Sequence, residues 1–142
     1  MGNFDNMPGG RAQFSISPTP KNYLKQDEFL LMTMRSHDQF NTTIYGMDDR
    51  YRGVYGERRV IFMNPEDIKE KGFHKEQVVN LVSCYDNQER RAKNFKIIPY
   101  DIPKSNLGAY FPETNVLVPI NQYADKSNTP ISKSVIVKIE IK

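Results

Sequence analysis

Five short apolar or alternating runs are spread evenly along the 142 residues, and only one brief helix start interrupts them. The first is Phe29-Leu-Leu-Met-Thr-Met34, a compact run that reads as a buried strand. Arg59-Val-Ile-Phe-Met63 is the second. Gln77–Tyr85 is β-branched and apolar, and Arg90–Ile98 returns with alternating character after Asp86-Asn87-Gln88, which predicts a hairpin. Ser134–Ile141 alternates Val and Ile with Lys and Glu, as a half-exposed strand does. Between the second and third runs, Asn64-Pro65-Glu66-Asp67 marks a helix start. Asn64 can cap, Pro65 fits the first position, and the two acids suit the positive end of the dipole. Gly72 stops that helix after about two turns. Short strands with exposed edges invite aggregation, and closing them into a barrel removes the edges. The expected fold is therefore mainly β and barrel-like, with one or two short helices.

Residues 1–22 are rich in Gly, Pro, Asn and Ser and read as a flexible tail or linker, with room for one edge strand at Ala12–Ile16. The barrel is expected over 23–142. Residues 99–133 carry five prolines and read as a long irregular loop; loops of that length are usually functional. The start, Met1–Gly10, is polar and has no apolar core for a signal peptide, and no run approaches the roughly 20 apolar residues that span a bilayer. A cytoplasmic chain without a membrane partner is expected. Cys84 is the only cysteine, so this chain alone makes no internal disulfide and no all-cysteine metal site. It lies in an apolar run and reads as a strand residue. A net charge of +3 is too small to imply nucleic acid by itself. Two basic groups stand out nonetheless: Arg50, Arg52, Arg58 and Arg59, and then Arg90, Arg91 and Lys93. They suit a polyanion or an acidic neighbour, or they are solvated surface.

Three segments could carry chemistry. Arg35–Thr43 (R-S-H-D-Q-F-N-T-T) directly follows a buried strand. Arg35, hydroxyls and strand-end amides suit phosphate oxygens, and Gln39 and Asn41 can offer both donor and acceptor to a heterocycle edge. The other reading is a polar turn that caps its own backbone. Asn64 and Asp67 are either ligand groups or simply a helix start. Tyr110-Phe-Pro-Glu-Thr-Asn115 offers two exposed aromatics that flank a planar ring, or that anchor the loop to the core. There is no glycine-rich phosphate loop, no nucleophile elbow and no metal-ligand cluster in sequence.

These residues resemble a known family. The run L-M-T-M-R-S-H-D-Q-F-N-T-T-I-Y-G-M-D-D-R-Y-R-G (Leu31–Gly53) resembles the C-terminal domain of molybdopterin oxidoreductases, in the formate-dehydrogenase-like branch of the dimethyl sulfoxide reductase family. Three later stretches agree in order and spacing: Phe62–Ile68, Tyr100–Pro119 and Thr129–Ile139. The match spans roughly Arg11–Lys142. The resemblance implies a double-psi β-barrel-like fold and a molybdopterin guanine dinucleotide ligand, with two copies per active site. It implies that molybdenum or tungsten, and any iron–sulfur cluster, belong to other domains of the parent enzyme. Matched by position, Thr33, Arg35, Ser36, His37, Gln39, Asn41 and Thr42 fall on the family's first cofactor loop. Asn64 and Asp67 fall on a strand–helix junction that meets guanine. Tyr110 and Asn115 fall on a loop near a pterin, and Lys133 on a late basic position at the cofactor's polar edge.

The expectation is a cofactor-binding domain of a molybdenum-dependent oxidoreductase, not catalytic by itself, whose partners are the dinucleotide and the remaining domains of the parent. A β-barrel module that binds protein or nucleic acid through its arginines is the alternative. An independent small enzyme is a third reading, for which no constellation supplies a nucleophile and base.

Overall fold

The side chains of strand β1, Glu28–Met34, alternate in burial: Phe29, Leu31 and Thr33 point inward, while Met32 on the other face is half exposed. That period of two is what a strand with one face on a core requires. The computed structural model describes residues 3, 5–19 and 23–142. Among them the strands are β1, β2 (Val60–Met63), β3 (Val78–Tyr85), β4 (Gln88–Pro99), β5 (Asn106–Tyr110) and β6 (Val135–Ile141). They close into one barrel in the order β1-β5-β2-β4-β3-β6, with β6 returning to β1. The expectation of a mainly β, barrel-like fold with short helices holds. The interior is filled by Phe29, Leu31, Ile61, Met63, Leu81, Phe95, Ile97 and their neighbours.

The helix α1, Pro65–Glu70, starts where the sequence places it. Asn64 Oδ1 accepts from the Glu66 amide at 2.7 Å, and its Nδ2 donates to the Ile102 carbonyl at 2.6 Å. One side chain thus caps the helix and ties it to the following loop. Asn64→Ala is expected to destabilise the chain by about 1–2 kcal/mol, read by urea unfolding. Asp86 and Asn87 both adopt left-handed φ, at 53° and 57°, which is what a tight two-residue hairpin turn demands between β3 and β4.

Two expectations need correction. The segment 99–133 is not irregular throughout: it contains β5, buried from Leu107 to Tyr110. Asn-Leu-Gly-Ala-Tyr has no β-branched residue, so its strand signal is weak. Its neighbours impose the conformation, β1 pairing it in parallel and β2 antiparallel. At Gly108 a Cβ would sit 2.1 Å from Met34 Cε, so any larger residue would require the flexible end of Met34 to move. The edge strand allowed for at Ala12–Ile16 does not form, and Phe14 and Ile16 are fully exposed. A closed barrel has no free edge for it to join. The rest of the expected tail falls partly on residues 1, 2, 4 and 20–22, outside the described residues. Among the described residues no helix is long and apolar enough to cross a membrane.

A candidate cofactor cleft at one end of the barrel

Pairing directions decide which loops meet. β1 and β5 run parallel with Met34 opposite Tyr110, so the chain leaves both strands at the same end. Arg35 therefore emerges beside Phe111, and its guanidinium lies 5.9 Å from the Phe111 ring centre. β6 is antiparallel to β1, with Leu31 opposite Val135, so the residues just before β6 arrive at that end too. Lys133 Nζ donates to the Thr33 carbonyl, and the Thr33 amide donates to Ser132 at 3.0 Å. Thr33, Arg35, Phe111, Asn115, Ser132 and Lys133 thus line a cleft of about 660 Å³. Two cations, an amide side chain and an aromatic ring converge there. Such a set suits an anionic ligand that carries a planar ring.

The cleft collects four of the positions expected to meet a ligand, from three separate stretches of sequence. The others stand differently. Ser36 and Gln39 are buried and serve the chain itself. Gln39 Oε1 accepts from the Ser36 amide at 3.1 Å, and its Nε2 donates to the carbonyls of Phe111 at 2.9 Å and Thr42 at 3.3 Å. His37 is exposed, with its ring 3.7 Å from that of Tyr51. Asn41 and Thr42 are exposed on the turn, where Asn41 takes a left-handed φ of 54°. Tyr110, expected to be exposed beside Phe111, is fully buried, and its hydroxyl donates to Asp49 Oδ2 at 2.8 Å. The strand β5 ends on it, and its alternation turns the ring under the loops.

Asn64 and Asp67 lie at the other end of β2. That strand is antiparallel to β5, with Met63 opposite Leu107, so its end approaches the start of β5. Asp67 is buried and accepts from the Ser105 amide at 2.6 Å. The polar groups of this junction are therefore engaged within the chain, and the distance to the cleft is on the order of 15 Å, the length of a five-residue strand. A smaller depression of about 180 Å³ bridges the two ends along β1 and β5. It shares Lys133 with the cleft and reaches Ile102 and Pro103 beside Asn64.

Sequence reading did not single out the two buried hubs beneath the cleft. One is Arg58, noticed only as part of a basic group. The other is Asp49, which accepts from Tyr110, from the amides of His37 and Arg52 at 3.2 Å, and from the Arg52 guanidinium at 2.6 Å. Burial pushes the Asp49 carboxyl up, but the bonds from Tyr110 and Arg52 outweigh it, and the group rests below the usual carboxylate range. Burial, followed by the bond to Asp49, raises the Tyr110 phenol above its ordinary value. No local pattern announces either hub; the signal is only that a charged side chain beside an apolar strand is rarely buried unless paired.

Three residues of the two basic groups are ion-paired. Arg52 pairs with Asp49, Arg58 with Glu113, and Arg91 with Glu89 and Glu140. A second cleft of about 770 Å³ brings Arg59, Arg91 and Lys93 together, but Glu57 and Glu113 share its lining.

The comparison with known proteins agrees with this architecture. The family described as "Molydopterin dinucleotide binding domain" matches residues 29–139, the span from β1 to β6. An uncharacterized oxidoreductase of Mycobacterium tuberculosis (strain ATCC 25618 / H37Rv) is 49% identical over 136 residues, covering 92% of this chain. Protein YdeP of Escherichia coli (strain K12) is 37% identical over 142 residues, covering 94% of this chain. In both cases the chain spans 18% of the relative's length. With the match running through every strand of the barrel, this chain belongs to the molydopterin dinucleotide binding domain family.

Proposed function

We propose that this chain is the cofactor-holding domain of a larger oxidoreductase and that the cleft of Thr33, Arg35, Asn115 and Lys133 grips a molybdopterin guanine dinucleotide. The observation that carries the reading is the convergence of four expected positions, from three stretches of sequence, on one cationic cleft. Arg35 and Lys133 suit the phosphates, and Asn115 and the Phe111 ring suit a pterin edge. The shared depression running from Lys133 to Ile102 and Pro103 gives an extended dinucleotide a path toward Asn64 and Asp67, where the guanine would lie. Asp67 would accept from the guanine edge with whatever capacity its bond to Ser105 leaves. The donor set of the cleft fits the phosphates and the pterin, whereas Asn64 and Asp67 are already bonded within the chain.

When bound, the cofactor supplies oxidation–reduction chemistry through a molybdenum or tungsten held elsewhere in the parent. The residues of this chain position it and neutralise its charge. The resemblance of Leu31–Gly53 and the three later stretches supports a formate-dehydrogenase-like parent with a pair of guanine dinucleotides, working in the cytoplasm. The rest of the parent would close over the cleft, and the exposed Phe40, Ile44, Tyr51, Val116 and Ile120 are apolar surface for it to cover.

Titrating isotope-labelled chain with GMP tests the reading. A fragment of this kind is expected to bind with a dissociation constant of about 1 mM. It should shift amides of 35–43, 64–67 and 115. If all of these stay still at millimolar GMP, the chain does not hold the cofactor by itself in this way. A second reading, binding of nucleic acid, is favoured by the meeting of Arg59, Arg91 and Lys93 on one cleft. Steeply salt-dependent binding to RNA or DNA would support it, and no binding at low salt would remove it.

A further inference from the structure

Arg58 is the last but one residue before β2, and its side chain is only 3% exposed. β2 is antiparallel to β5, with Ile61 opposite Ala109, so the start of β2 lies beside the end of β5. The guanidinium spends every nitrogen there. Nε and Nη2 donate to Glu113 at 2.7 and 3.3 Å, and Nη1 donates to Ser36 Oγ at 2.7 Å. Nη2 also donates to Gln39 Oε1 and to the Phe111 carbonyl, both at 3.0 Å. The Tyr45 ring centre lies 3.8 Å from its central carbon. Two of the accepting residues, Ser36 and Gln39, belong to the loop after β1, and two, Phe111 and Glu113, to the loop after β5. Arg35 and Asn115 stand on those same two loops and line the cleft.

We propose that Arg58 is a positioning residue that sets the separation of the two loops and so the width of the cleft. It does not line the cleft of Arg35 and Asn115, although it borders the second cleft beside Arg59, so it acts on the first cleft only through the loops. A planar fork with five donors can satisfy both loops at once, whereas a lysine ammonium with three donors at a point cannot. The link between the loops stands on the geometry alone; its bearing on ligand binding rests on the function proposed above.

The test uses the full chain with Arg58→Lys, which keeps the charge and loses the fork, together with Arg35→Ala and the double variant. Without ligand, amides of Ser36, Gln39, Thr114 and Asn115 are expected to exchange about tenfold faster in Arg58→Lys, while those of Leu31, Ile61 and Leu107 stay within about twofold. With inorganic pyrophosphate as probe, each single variant is expected to bind about tenfold more weakly. The double variant is expected to bind about tenfold rather than about a hundredfold more weakly, since the two act through one geometry. Unchanged exchange in the loops overturns the proposal. So does faster exchange throughout the strands, which would make Arg58 a general stabiliser, and so do additive losses of affinity. If the unsubstituted chain does not bind pyrophosphate, the function proposed for the cleft fails, while the exchange experiment still decides the role of Arg58.

Discussion

Phe62→Ala is expected to lower the unfolding free energy by about 3–5 kcal/mol, a large part of the roughly 5–15 kcal/mol that holds a domain of this size. Phe62 is fully buried although it lies outside the barrel interior. It belongs to a second apolar cluster with Val54, Val60 and Tyr110, which Met34, Ile98, Tyr100 and Ile102 flank. Its ring meets Tyr100 and Tyr110 edge-on, at centroid distances of 5.1 and 5.5 Å, an arrangement worth more than its area alone. Truncation leaves a cavity that β2 and β5 cannot close, since both are held in register on each side. The cluster includes Val54 and Tyr110, which lie next to the cleft loops, so its loss should loosen those loops before it opens the barrel. Urea unfolding with a midpoint shift gives the magnitude. A loss below about 1 kcal/mol would mean that the outer cluster repacks freely and is no real core.

Asp49→Ala is expected to cost about 2–4 kcal/mol at neutral pH, because it strands the Tyr110 hydroxyl without an acceptor and leaves Arg52 unpaired. Its pH dependence identifies the cause. The carboxyl of Asp49 is held below its ordinary range, so its stabilisation is fully present above the unfolded value of about 3.9 and is lost as pH falls through the lower folded value. The difference in stability between the unsubstituted chain and Asp49→Asn should therefore narrow as pH drops from about 5 toward 3. At the alkaline limit the sign reverses. The Tyr110 phenol is raised, so its contribution is intact below about pH 10 and is lost as pH climbs through the folded value. Of the eight tyrosines, one should resist ionisation in a spectrophotometric titration of the native chain. Ionisation of all eight at about pH 10 would contradict the buried Tyr110–Asp49 bond.

Much of the local structure was legible because it depends on neighbours in sequence. The alternation at 29–34 and 134–141 announces strands with one buried face, and Asn64-Pro65 announces a cap. β5 was not legible, since Leu-Gly-Ala is defined by what surrounds it: β1 and β2 on each side, and Met34 packed where a Cβ would otherwise stand. The same distinction separates the site residues. Arg35 and Asn115 could be nominated from their stretches of sequence, and Lys133 from the family resemblance alone, but nothing in those stretches places them within one cleft. Tyr110 and Phe111 look alike in sequence, yet strand alternation buries the first and leaves the second half exposed at the cleft.

The sequence by itself therefore determined five of the six strands, the helix start and the tight hairpin, since each follows from residue type and short spacing. Tertiary structure alone decided which segments share an end of the barrel. The parallel pairing of β1 with β5 brings Arg35 to Phe111, and the antiparallel pairing of β2 sends Asn64 and Asp67 to the far end. It also decided that Arg58 and Asp49 are buried hubs, because their partners lie up to 61 residues away and only closure of the barrel removes them from water.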